Sequence, residues 1–147
     1  MSNTTIRKLR REGNGSTDTG YYLMPPKIWL DAVEKKQGKK ILGFTLKSEE
    51  EGLVLDPMFE NPRVEPPRNG SPELVTLMLL QGTLISKLRE VHKGNNIYRI
   101  IYVPRAWVRG KEQERNRKVI ALSVTTKPAS IFVEPVFAKK PTHAKKP

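Results

Sequence analysis

Apolar residues in this chain fall at every second position in several short runs, the spacing of strands with one buried face. Leu42, Phe44 and Leu46 share one face of a strand expected over Lys40–Lys47, and Ile120, Leu122 and Val124 share one face of its later twin. Strands are also expected over Tyr21–Met24 and Ile97–Val103, and before them over Ile6–Arg11 and Ile85–Val91. Between these pairs lie turn formers, Gly13-Asn14-Gly15-Ser16 in one place and Lys93-Gly94-Asn95-Asn96 in the other. Pro26 and Pro104 stand where a proline opens a helix, in its first turn. A short helix-compatible stretch follows each, closed by Gly38 and Asn116, the residue types that most readily take positive φ. A fourth strand ends at Pro57 or Pro135. The pattern is β-β-α-β-β, written twice.

The two copies align residue by residue. Pro26-Lys27-Ile28-Trp29-Leu30 matches Pro104-Arg105-Ala106-Trp107-Val108 at an offset of 78, and the offset holds without a gap from 26–59 to 104–137. Only six of these 34 pairs are identical, but the rest largely keep size and polarity, and both tryptophans of the chain fall on equivalent positions. Upstream, Lys8-Leu9-Arg10 matches Lys87-Leu88-Arg89 at an offset of 79. The organisation expected is a first unit over 1–59, a Pro-rich linker with a short apolar element over 60–82, a second unit over 83–137 and a disordered basic tail over 138–147.

The linker, Glu60 to Gly70, is rich in proline and therefore stiff and extended. Ser71-Pro72-Glu73 then supplies an N-cap, a first-turn proline and an acid suited to the helix dipole. Leu74 to Gln81 reads as a short helix stopped at Gly82, with a strand as the competing reading. The tail is the tetrapeptide Ala-Lys-Lys-Pro twice, around Thr142-His143, with no apolar periodicity to order it.

Charge narrows the function. The 147 residues carry 27 Lys and Arg against 15 Asp and Glu, a formal charge of +12. By segment the net charge is +1 over 1–60, zero over 61–82, +7 over 83–137 and +4 over 138–147. Such an excess points to a polyanionic partner, and charge alone does not separate nucleic acid from an anionic membrane surface. The absence of cysteine excludes disulfides, thiolate zinc sites and a cysteine nucleophile, and fits a reducing cytoplasm. No apolar run approaches the roughly 20 residues of a membrane helix. His92 has no serine or acid placed to complete a triad, and Glu49-Glu50-Glu51 is a solvated acidic run rather than a metal cage. Neither an enzyme nor a cofactor is expected.

A unit of two strands, Pro-Lys-hydrophobic, a short helix, a glycine and two strands ending near proline resembles the AbrB/MazE/SpoVT swapped-hairpin family. In the first unit the resemblance rests on Leu23-Met24-Pro25-Pro26-Lys27-Ile28, Gly38-Lys39-Lys40-Ile41 and Gly52-Leu53-Val54-Leu55-Asp56-Pro57. The second unit matches mainly through the first. The chain departs from the family where Gly20 is followed by Tyr21 and where Trp29 and Trp107 stand near an expected arginine. The resemblance implies a mostly β fold with short helices, a β-rich α+β class, in which two ββαββ half-barrels interlock into one closed β-barrel. Closure removes the edges that a half alone exposes. A tandem copy supplies the second half within one chain, giving a monomeric pseudo-dimer, with a homodimer as the alternative.

The resemblance also implies a DNA-binding transcription regulator, or a chromatin-type binder, that lays double-stranded DNA across the first strands and adjacent loops. Matching positions are Arg7, Lys8, Arg10 and Arg11 in the first unit and Lys87, Arg89, Lys93 and Arg99 in the second. Lys27 and Arg105 follow the paired prolines. A guanidinium fork grips phosphate or a guanine edge at two points, whereas lysine acts as a point charge. Arg105–Lys118 and Lys27–Lys40 read as solvated helix faces, the strand tyrosines as half-buried core and the tryptophans as helix anchors. Two other readings stand beside this one. The first is an antitoxin-like module whose apolar segment Leu74 to Leu84 folds on a protein partner. The second is an RNA-binding protein.

Overall fold

A computed structural model of the chain describes residues 3–8, 10–11, 21–60 and 72–141, with side chains over 21–60 and 74–139. The turn Gly13–Ser16, the proline-rich part of the linker and the end of the tail from Thr142 lie outside the described residues. The elements are β1 (Asn3–Lys8), β2 (Arg10–Arg11), β3 (Tyr21–Leu23), α1 (Lys27–Gln37), β4 (Gly43–Ser48) and β5 (Leu53–Met58). After them come α2 (Pro72–Gln81), β6 (Leu84–Lys87), β7 (Arg89–Lys93), β8 (Asn96–Val103), α3 (Arg105–Arg115), β9 (Arg117–Thr126) and β10 (Ile131–Pro141). The chain is mostly β with three short helices among the described residues.

Helices α1 and α3 repeat to the residue. Pro26 and Pro104 have the same backbone angles, φ −59° with ψ 126° and 127°, and each is the N-cap rather than the first helical residue. Their carbonyls accept the N–H of Leu30 and of Val108, at 3.0 and 3.2 Å. Each helix ends in a left-handed residue, Gly38 at φ 68° and Asn116 at φ 51°. A second link fixes the exit. The Ile41 N–H donates to the Glu34 carboxylate at 2.8 Å, and the Val119 N–H to the Glu112 carboxylate at 2.9 Å. This explains why glutamate is one of the few identities between the copies.

Strand pairing weaves the copies together. A six-stranded sheet runs β1-β9-β10-β5-β4-β6 and a four-stranded sheet β2-β3-β8-β7. Both orders read the same from either end once each strand is exchanged for its twin. In the centre of each sheet a residue faces its own equivalent, Val54 opposite Phe132 and Leu23 opposite Ile101. A pseudo-two-fold axis therefore passes through both pairs. The outer strands obey it too, since β1 pairs with β9 as β6 pairs with β4, with Lys8 opposite Ala121 and Lys87 opposite Gly43.

The described strands form two open sheets, and no closed barrel ladder joins them. The corners are turned by strands that run on from one sheet into the other, β1 into β2 and β6 into β7. Between β6 and β8 a side chain stands in for a ladder. The buried Ser86 hydroxyl donates to the Tyr102 carbonyl at 3.0 Å and accepts the Tyr102 N–H at 3.1 Å. The β5–β10 pairing spans only three residues of each strand, and Pro57 and Pro135 lie beyond it. A proline has no N–H with which to extend a ladder.

The core lies between the sheets. Phe44, Leu46, Leu53, Leu55, Leu122, Val124, Ile131 and Val133 come from the first sheet and Tyr21, Leu23, Ile101 and Val103 from the second. Trp29, Leu30, Val33, Trp107 and Val108 complete it from the helices. Burial of a side chain of this size stabilises by about 1.5–3 kcal/mol. Gly52 sits so close to β10 that a Cβ there would collide with the Val133 carbonyl.

Two expectations change. Ile120 does not share the buried face of Leu122 and Val124, because the pairing passes from Ala121–Val136 to Val119–Phe137 and leaves Ile120 as a bulge, half exposed. Val119 and Ile41 are buried instead. The last strand does not end at Pro135, since β10 continues to Pro141, opposite Arg117. Ala138–Pro141 is therefore strand and not free tail, a continuation that follows Phe137, which packs on the core. The apolar element after the linker is the expected helix, starting at Pro72 and stopping at Gly82, and not the competing strand.

Candidate nucleic-acid interface

The duplication places cations in matching groups. β6 and β7 carry Lys87 and Arg89 on either side of Leu88, whose N–H donates to the Leu42 carbonyl at 3.0 Å. Lys39 and Lys40 lie three and two residues before Leu42, just past the C-terminal end of α1, and both are exposed. Lys87 is exposed and Arg89 is exposed as well. These four residues form one basic corner of the molecule.

The other corner is its image. Lys8 and Arg10 end β1 and open β2, with Lys8 opposite Ala121 and Arg10 opposite Tyr22. Arg117 and Lys118 are the equivalents of Lys39 and Lys40, both exposed at the start of β9 after α3. All four positions are cationic in both copies. Each corner is extended by basic residues in the last turn of its helix, Lys35 and Lys36 on α1 and Arg115 on α3. Cations there are also favoured by the helix dipole. The Arg115 guanidinium rests 5.9 Å from the centre of the Phe137 ring.

Four of the ten expected residues meet in these corners: Lys8, Arg10, Lys87 and Arg89. Lys93 is exposed at the β7–β8 turn, further along the same hairpin. Arg7 stands opposite Leu122, whose side chain is fully buried, and Arg11 opposite the buried Tyr21. Lys27 and Arg105 begin the helices, whereas the corners lie past their ends. Eleven residues at 1.5 Å each separate the two places by about 16 Å. Lys27 is exposed there and Arg105 half-buried.

Arg99 is held by acids of α1 and does not join the corners. Its Nη1 donates to both carboxylate oxygens of Glu34 at 3.0 Å, and its Nη2 to Asp31 at 3.2 Å. Its side chain is 18% exposed and that of Glu34 16%. A guanidinium that faces two carboxylates in this way ties β8 to α1 and has its charge balanced there. The copies differ here, because the positions equivalent to Arg99 and Asp31 are Tyr21 and Arg109.

Lys39, Lys40, Arg117 and Lys118 belong to stretches that sequence alone reads as solvated helix faces. The signal that finds them is the duplication itself, since Lys40 and Lys118 are identical and Lys39 and Arg117 keep charge across the 78-residue offset. Among the described residues no group of acids and histidines is placed to hold a metal ion, and no helix is long and apolar enough to cross a membrane. Compared with family models, with curated proteins and with solved structures, the chain matches none of them.

Proposed function

We propose that the protein binds double-stranded DNA through its two basic corners, as a transcription regulator or chromatin-type binder of the AbrB-like swapped-hairpin kind. The observation that carries this reading is the recurrence of one cationic quartet in both copies: Lys8, Arg10, Arg117 and Lys118, and Lys87, Arg89, Lys39 and Lys40. A duplex backbone is itself two-fold related, so paired cation groups about a pseudo-dyad suit it. The same symmetry supports a monomeric pseudo-dimer whose two units complete one barrel-like shell, with strands β1–β2 and β6–β7 as its corners. In this reading the protein acts in the cytoplasm, without cofactor or catalysis, and the tail after Pro141 adds phosphate contacts.

The test is the affinity for a labelled duplex as salt is varied. Contact with 6–10 phosphates implies a fall of roughly 10³–10⁵ in affinity between 50 and 200 mM salt. An affinity indifferent to salt contradicts the reading.

One observation favours a second reading, the antitoxin-like module. Leu74, Leu77 and Leu80 of α2 recur at three-residue spacing and are 40, 51 and 61% exposed. Recovery of a second small chain that stays bound through purification, and is released when Leu77 and Leu80 become serine, decides for it.

A further inference from the structure

The four-stranded sheet has one buried and one aromatic face. Tyr98, Ile100 and Tyr102 fall at alternate positions of β8 and so share a face. Tyr22 stands directly opposite Tyr102, and Val91 opposite Tyr98. The intervening row, Tyr21, Leu23, Ile101 and Val103, is in the core, so the tyrosine row faces away from it. Exposure is uneven along that row, lowest at Ile100 between the two tyrosines of β8. Ile100 is 5% exposed, Tyr22 and Tyr102 are half-buried, and Tyr98 is 39% exposed. Arg89 holds its guanidinium 5.6 Å from the centre of the Tyr102 ring. Lys93 and Asn96, a directly opposed and exposed pair, end the row at the Gly94-Asn95 turn.

Duplex docking has no use for this row. Bases inside a duplex stack on each other and present only their edges. Unpaired bases present faces, and aromatic side chains beside cations are what receive them. Tyr98 and Tyr102 lie four residues apart on an extended strand, about 13 Å, enough for bases laid flat between them.

We propose that this face is a second site, which takes the unpaired bases of a single-stranded nucleic acid by stacking on Tyr98 and Tyr102, with Arg89 and Lys93 holding its backbone. The site goes beyond duplex docking and stands without it.

The full chain is titrated into three labelled probes at one salt concentration: oligo-dT, oligo-U and a hairpin duplex. Wild type binds the single strands, and the stronger of the two shows whether DNA or RNA is preferred. Tyr98→Ala weakens single-strand binding about tenfold and Tyr98→Phe restores it, while the duplex affinity moves with neither. Tyr98→Leu keeps the apolar bulk, removes the ring, and behaves as Tyr98→Ala. The proposal is overturned if wild type ignores both single strands, if Tyr98→Ala and Tyr98→Leu bind them as wild type does, or if these variants weaken the duplex equally. A wild type that binds single strands but no duplex would overturn the basic corners and leave this site standing.

Discussion

The two copies bury the same tryptophan and treat its N–H differently. Trp29 stacks near Phe44, with centroids 6.1 Å apart, and donates Nε1 to the Lys127 carbonyl at 2.7 Å. The equivalent acceptor for Trp107 is the Glu49 carbonyl. Trp107 Nε1 is instead buried with no partner among the described residues. The reason lies in α2, an element with no described counterpart in the first copy. It packs against β4 and α3 and drives Leu79 into the core beside Trp107. Nearby, Lys111 caps the Glu50 carbonyl at 3.0 Å. One copy thus satisfies its anchor through the opposite unit, and the other leaves that N–H unpaired while it buries Leu79 of α2. The difference shows that a pseudo-symmetric fold keeps its pattern of apolar burial more strictly than its polar contacts.

That comparison is open to measurement by chemical denaturation. The largest effects belong to the shared core. Phe44→Ala costs about 3–5 kcal/mol and its twin Leu122→Ala about 2–5 kcal/mol, both side chains being fully buried. A much smaller effect in one would mean that the copies do not share one core. Gly52→Ala should cost about 1–3 kcal/mol by forcing β5 from β10. Its counterpart is already a serine, Ser130, and Ser130→Ala should change little.

Polar contacts give smaller and unequal effects. Glu34→Ala removes the acceptor of the Ile41 N–H and strips Arg99 of one carboxylate, a destabilisation of about 2–3 kcal/mol. Glu112→Ala removes only the acceptor of Val119 and should cost about 1 kcal/mol. Equal effects would mean that the Arg99 clamp contributes nothing. Smallest of all is the tryptophan difference. Trp29→Phe should be about 1 kcal/mol worse than Trp107→Phe, because only the first breaks a hydrogen bond. If the order is reversed, the account of α2 is wrong.

Much of the fold was legible, because apolar alternation and the prolines recur at a constant offset. Pro26, Gly38 and their twins marked the helix ends, and the swap of strands between copies follows from edges that a half leaves open. What stayed hidden depended on register. A single unpaired residue at Ile120 turns one side chain outward, and alternation alone cannot reveal a bulge. Arg99 resembles its basic neighbours in sequence, but its partners Asp31 and Glu34 lie on another unit's helix, 65 or more residues away. The basic corners were half legible. The strand cations stood out as a cluster, whereas Lys39, Lys40, Arg117 and Lys118 join them only once β4 and β9 are laid beside β6 and β1.

The most direct test removes one corner at a time. Duplex affinity is measured against salt for wild type, for Lys39→Gln with Lys40→Gln, and for Arg117→Gln with Lys118→Gln. Each phosphate that is no longer neutralised should flatten the logarithmic salt slope by about 0.9, so a pair of substitutions flattens it by up to about 1.8, and by the same amount at either corner. Slopes that stay at the wild-type value in both variants would contradict a DNA surface built from the two copies.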